Sequence, residues 1–143
     1  MRNYMEAKFK ASIENEAFAR NLVANFILPL NPTVEELTDI KTAVSEAVTN
    51  VVVHAYPDKN GDITIKVKTE ENKIIISIID NGIGIQDVER ALTPFYTSKP
   101  DQERSGMGFT VMEGFMDRLE VINNKIGLTV NMYKTIENQV VGL

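Results

Sequence analysis

Residues 33–57 read TVEELTDIKTAVSEAVTNVVVHAYP, and the fold is decoded outward from them. Thr33 followed three residues later by Glu36 is a capping box, and Pro32 marks the boundary before it. Val34, Leu37, Ile40, Val44, Ala47/Val48 and Val51 recur at helical spacing, so the segment predicts a helix of about six turns that runs to Tyr56-Pro57. Its other side is unusual. Residues 42–58 hold no Lys or Arg, and Val48, Thr49, Val51, Val52 and Val53 are β-branched where a wet helix would carry Lys, Gln or Ala. Glu46 and Asn50 lie one turn apart on that side, away from the apolar stripe and close to Thr42, Ala43 and His54. Two readings stand at this point: a solvated face, or a covered face on which a carboxylate and an amide need partners, for which a hydrated cation would serve.

Upstream, residues 4–11 alternate, with Met5, Ala7, Phe9 and Ala11 on one side, which predicts a strand. Ser12 then caps a helix whose stripe is Phe18, Leu22 and Phe26, and Pro29 stops it by Leu28. Downstream, residues 58–61 have turn chemistry, and Ile63, Ile65 and Val67 alternate with Thr64, Lys66 and Lys68. Residues 74–79 are apolar on both faces, as a central strand is. They end on Asp80-Asn81-Gly82-Ile83-Gly84, then a short helical turn at 86–91 and a polar, Pro-interrupted loop at 94–105. A third helix opens at Gly106-Met107-Gly108 and runs to about Asp117, and strands at 119–123 and 127–133 complete the chain. The expected fold class is α+β: a two-layer sandwich, a mostly antiparallel mixed sheet with helices on one face, in a single domain spanning residues 1–143.

Composition narrows the chemistry. The chain has 143 residues, 43% hydrophobic and 24% charged, so it can bury a core without staples. There is no Cys and a single His, which excludes a disulfide scaffold, a Cys/His zinc site and a Cys nucleophile. A net charge of −5 argues against a nucleic-acid-binding surface, though it permits a local phosphate site. No stretch is long enough to span a bilayer and the first ten residues have no apolar core segment, so the expectation is a cytoplasmic protein with no membrane partner.

Two further motifs stay ambiguous by themselves. Asn81-Gly82 is a hairpin signal, but the helical character of 86–92 denies it a matching strand and leaves Gly82 and Gly84 for a close backbone approach beside the Asp80 carboxylate. Gly106-x-Gly108 is either a flexible loop end or a helix N-terminus that offers N–H groups to phosphate. Neither a Walker-type phosphate loop nor a dinucleotide fingerprint is present.

Taken in order, Glu46-x-x-x-Asn50 on a helix, Asp80-x-Gly82-x-Gly84 after a strand, the loop Pro94-Phe95-Tyr96-Thr97-Ser98-Lys99 and Gly106-x-Gly108 resemble the Bergerat-type ATP-binding fold of gyrase-type topoisomerases and histidine kinases. With His54-Ala55-Tyr56 and the short length, the chain resembles the bacterial anti-sigma-factor serine kinases over its whole extent. The resemblance implies an ATP-dependent serine kinase of an anti-anti-sigma protein that also holds a sporulation sigma factor of RNA polymerase inactive, and that acts as a homodimer. It implies ATP and Mg²⁺ as cofactors. Asn50 corresponds to the family's Mg²⁺ ligand, Glu46 to its general base and Asp80 to its adenine-reading carboxylate. Gly82 and Gly84 pass close to the nucleotide, and residues between Gly84 and Gly106 form a lid in which Lys99 and Arg104 neutralise phosphate charge. Ser105, Gly106, Met107, Gly108 and Phe109 fall at the triphosphate, Thr129 is the candidate for a threonine beside adenine, and His54 falls near phosphate, where a structural role is the alternative.

The other enzyme reading is a histidine-kinase-type catalytic domain, but the only His is His54 and no segment is left for a phosphoacceptor hairpin. The non-enzyme reading is a nucleotide-gated binding module, which has no need of Glu46 beside Asn50. For partner binding the candidate is Arg20, the only basic residue between Lys10 and Lys41. The helical wheel sets it opposite Phe18, Leu22 and Phe26 and beside Ile13, Glu16 and Ile27. That is either an ordinary exposed arginine or an interface anchor.

Overall fold

A computed structural model describes residues 2–58, 60–85 and 108–137. Strand β1 spans Arg2–Lys10 and is followed by a 3-10 turn at Ile13–Asn15, helix α1 at Glu16–Ile27 and a second 3-10 turn at Leu28–Leu30. Helix α2 covers Val34–Asn50 and continues as a π-helix over Val51–Ala55. Strands β2 (Asp62–Glu70) and β3 (Lys73–Asp80), helix α3 (Gly108–Phe115) and strands β4 (Arg118–Asn123) and β5 (Leu128–Thr135) follow. The five strands lie in the order β1-β2-β3-β5-β4, and each neighbouring pair is antiparallel. The α+β sandwich expected from the sequence is thus present. Its sheet is antiparallel at every pairing among the described residues, in keeping with the mostly antiparallel sheet expected.

The core lies between the sheet and the helices. Ile63, Ile65 and Val67 of β2, Ile74, Ile76 and Ile78 of β3 and Val130 and Met132 of β5 turn one face inward, and Ile40, Val44 and Val48 of α2 meet them. Helix α2 is the middle element, packed between α1 and α3. Its capping box forms as predicted: Thr33 Oγ1 accepts from the Glu36 N–H at 3.0 Å and Glu36 Oε1 accepts from the Thr33 N–H at 2.9 Å.

Helix α1 corrects the sequence reading. The expected stripe was Phe18, Leu22 and Phe26, yet Ala19, Val23, Ala24 and Ile27 are the buried residues, while Phe18 is 50% exposed. Small Ala19 and Ala24 let α1 approach its neighbours closely, so the helix turns by about one residue and leaves its aromatic residues at the margin, where Phe18 meets the Phe9 ring edge-on at 5.5 Å. The predicted turn at 86–91, the loop at 94–105 and the opening of α3 at Gly106 and Met107 lie outside the described residues.

Candidate nucleotide site

The π-helix is the first device of the site. Val51, Val52 and Val53 are β-branched residues, which fit a regular α-helical turn poorly, and the helix continues over them as a π-helix instead of ending. Glu46 and Asn50 stand one turn apart on α2 just before it, and both are half-buried. They occupy neither the fully wet face nor the core, as the lack of Lys and Arg suggested. His54 sits within the π-helix, also half-buried and with partners of its own.

Strand β3 delivers the second device. Asp80, its last residue, faces inward and is only 3% exposed. Its Oδ1 accepts from the Gly82 N–H at 2.9 Å, which folds the chain sharply after the strand. Burial pushes the Asp80 carboxyl above its ordinary value, and the N–H groups of Gly82 and Leu128 only partly oppose that shift. A buried carboxylate with remaining acceptor capacity suits a ligand that donates a hydrogen bond, such as an exocyclic amine.

The two devices are stitched together. The Ala55 carbonyl, which the helix end leaves without an intrahelical partner, accepts from the Ile83 N–H at 2.9 Å. Gly82 lies directly on that carbonyl: a Cβ there would stand 2.0 Å from the Ala55 oxygen, so the turn tolerates only glycine. On the other side Asn123 of β4 clamps Ile85, accepting from its N–H at 3.0 Å and donating to its carbonyl. The Asp80–Ile85 segment is therefore held between α2 and β4, and Gly84 within it has φ +72°.

Tyr56 completes the frame. Its hydroxyl donates to the Asp62 carbonyl at 2.6 Å and accepts from the Asn81 N–H at 2.8 Å. Burial raises the phenol above its ordinary value, so the hydroxyl keeps the proton it donates.

Thr129 does not join this group, and here the sequence expectation is corrected. Its register partner is Ile79, one residue before Asp80, so its side chain lies on the opposite face of the sheet, where Oγ1 accepts from Asn124 Nδ2 at 2.7 Å. Leu128, paired with Asp80, holds the inward position. Of the α3 residues, Gly108 is buried and Phe109 packs against the core, while Ser105, Gly106, Met107 and the proposed lid with Lys99 and Arg104 lie outside the described residues. Sequence reasoning missed Tyr56 and Asn123 as supports; no local pattern marks a side chain whose partners lie 25 and 38 residues away.

The donor set fits a nucleotide and its metal. No group of three or more His, Asp or Glu among the described residues forms a cage for an ion. Mg²⁺ does not require one, because it keeps several waters and takes one or two protein oxygens plus substrate phosphates. The Asn50 amide, beside the Glu46 carboxylate, offers such a contact. A recess at the far end of α2, lined by Thr33, Glu35, Glu36, Asp39, Asp117 and Lys134, is rich in carboxylates and ill suited to phosphate.

Residues 9–134 match the family described as Histidine kinase-like ATPase domain. The Anti-sigma F factor of Clostridium acetobutylicum is 54% identical over 125 residues, covering 87% of this chain and 87% of its own. The Anti-sigma F factor of Clostridium perfringens is 57% identical over 126 residues, covering 87% and 90%. The chain belongs to the anti-sigma F factor family of histidine kinase-like ATPases. The Anti-sigma F factor of Caldanaerobacter subterraneus subsp. tengcongensis, 57% identical over 119 residues and covering 83% of each chain, agrees. The crystal structure of the RsbU and RsbW domains of Rv1364c from Mycobacterium tuberculosis superposes with a TM-score of 0.67 over 94% of this chain and 32% of that one, at 16% identity, and shows the same fold. Within this family fold, α2 and the end of β3 supply the described part of the candidate site. No described helix is long and apolar enough to cross a membrane.

Proposed function

We propose that the protein is an anti-sigma factor and a Mg-ATP-dependent protein serine kinase that phosphorylates an anti-anti-sigma protein. The reading is supported above all by the convergence of Glu46, Asn50 and the buried Asp80 turn on one end of α2, in a chain 54% and 57% identical to anti-sigma F factors. Asp80 would read the adenine amine, with Gly82 bringing the backbone close to the base. Asn50 would hold Mg²⁺, which when bound draws charge from the phosphate oxygens. Glu46 would accept the proton of the attacking serine hydroxyl, so transfer needs no covalent enzyme intermediate. The N–H groups at the start of α3 would steady the phosphates, and His54 has a place near them.

Incubation with labelled ATP, Mg²⁺ and an anti-anti-sigma protein tests this reading directly. Label on one serine of the partner is the expected result; ATP binding without any transfer would leave the nucleotide-gated binding module instead, and no ATP binding at millimolar concentration would remove both.

Partner docking is proposed to use α1. Arg20 is half-buried and paired with Glu16, with Ile13 exposed nearby, whereas Ile27, expected to face outward beside it, is fully buried. Arg20→Glu sets two carboxylates one turn apart and removes the anchor, so binding of the sigma factor or the anti-anti-sigma protein should fall about tenfold or more while ATP affinity holds. Pull-down and nucleotide titration on the same variant check this, and full partner binding would remove Arg20 from the docking surface. The homodimer is proposed to involve β1, whose outer edge borders no described strand, or α1; a monomeric mass at micromolar concentration would exclude it.

A further inference from the structure

The register of β2 and β3 pairs Ile63 with Asp80, so the next rung of the ladder would join Asp62 to Asn81. That rung is replaced. The Tyr56 hydroxyl stands between the two backbones, donating to the Asp62 carbonyl at 2.6 Å and accepting from the Asn81 N–H at 2.8 Å. The ring that carries the hydroxyl lies flat on Gly61, where a Cβ would come within 2.2 Å of Cε1, so the aromatic plane enters the gap only because position 61 has no side chain. The strand end is thereby parted from β2 one residue after Asp80. Freed from the ladder, the chain crosses to the π-helix, where the Ile83 N–H reaches the Ala55 carbonyl and the Gly82 N–H reaches Asp80 Oδ1. Tyr56 is also joined through the backbone to Ala55, so one segment both parts the strands and receives the turn.

We propose that Tyr56 is the positioning residue for base recognition: a wedge at the end of the β2–β3 ladder that sets the direction in which the Asp80 carboxylate meets the nucleobase. The proposal rests on the nucleotide reading above and adds to it the residue that fixes selectivity for adenine. Tyr56 itself touches no reacting atom. Removing its hydroxyl lets the Asn81 N–H close directly onto the Asp62 carbonyl, extending the ladder by one rung and pulling the Asp80 turn toward β2. A carboxylate misdirected in this way loses its hydrogen bond to the exocyclic amine, while contacts of the triphosphate with Asn50 and α3 persist.

The test is Tyr56→Phe, which keeps the ring on Gly61, titrated with Mg-ATP and with Mg-inosine triphosphate, which carries an oxo group where ATP carries its amine. ATP affinity should fall about tenfold and inosine triphosphate affinity should change little, so that the preference for ATP shrinks by about the same factor. A buried truncation such as Val67→Ala serves as control: it lowers the melting temperature without moving the ratio of the two affinities, as a merely structural role for Tyr56 also would. A Tyr56→Phe ratio equal to that of the unmodified protein, with ATP still bound, overturns the wedge and leaves the nucleotide reading in place. Failure of the unmodified protein to bind ATP overturns both.

Discussion

Glu46→Gln is expected to bind Mg-ATP with near-normal affinity and to transfer phosphate at least about a hundredfold more slowly than the unmodified protein. The substitution keeps the length and hydrogen-bonding reach of the side chain and removes its basicity. Glu46 lies on α2 one turn before Asn50, half-buried, and is the only carboxylate between residues 42 and 57. A hundredfold loss corresponds to about 2.7 kcal/mol of transition-state stabilisation, within the range that a positioned general base supplies. Single-turnover transfer to the anti-anti-sigma protein, measured with ATP at saturation, separates the chemical step from nucleotide binding. Unchanged transfer would reject Glu46 as the base and leave the proposed role of Asn50 in holding Mg²⁺ untouched. A loss of ATP affinity equal to the loss of rate would assign Glu46 to binding instead.

Asp80→Asn should do the opposite, abolishing most base recognition while leaving the helix that carries Glu46 intact. The carboxylate is buried at the end of β3 and accepts from Gly82, so an amide in its place presents a donor where the base also donates. ATP affinity should drop on the order of a hundredfold, because the misfit falls in a desolvated site. Calorimetric titration checks this, and an affinity within twofold of the unmodified protein would remove Asp80 from adenine recognition. Stability carries a second signature. Burial raises the Asp80 carboxyl in the folded chain above its unfolded value, so the folded state holds this proton more tightly. The group's contribution to stability is fully present below the unfolded value and is lost as pH rises through the raised folded one. Relative to Asp80→Asn, which has no proton to bind, the unmodified protein should therefore gain stability on acidification through that window. Denaturant titrations of both proteins between neutral and mildly acidic pH measure the difference, and a gap that stays constant across that range would show the carboxyl to be unshifted.

What the sequence determined is what depends on neighbours along the chain. The Thr33–Glu36 box, the 3.6-residue period of α2 and the alternation of β2 act within a few residues, and each element appears within a residue or two of its expected place. The order Glu46, Asn50, Asp80, Gly82 was legible for the same reason: each motif is local, and together they carry the family resemblance. Only the tertiary structure decided which faces of these elements meet. Helix α1 shows this, since Phe18, Leu22 and Phe26 have the period of a buried stripe, but the small side chains of Ala19 and Ala24 allow closer packing and put the aromatic residues at the rim. Thr129 shows it again: a strand's faces alternate every residue, and the pairing of Ile79 with Thr129 turns that hydroxyl away from Asp80. Asn123 and Tyr56 found their partners across the sheet. The Tyr56 hydroxyl lies between Asp62 and Asn81 because the strand register brings those two backbones together, and register is a property of paired strands that no single segment encodes.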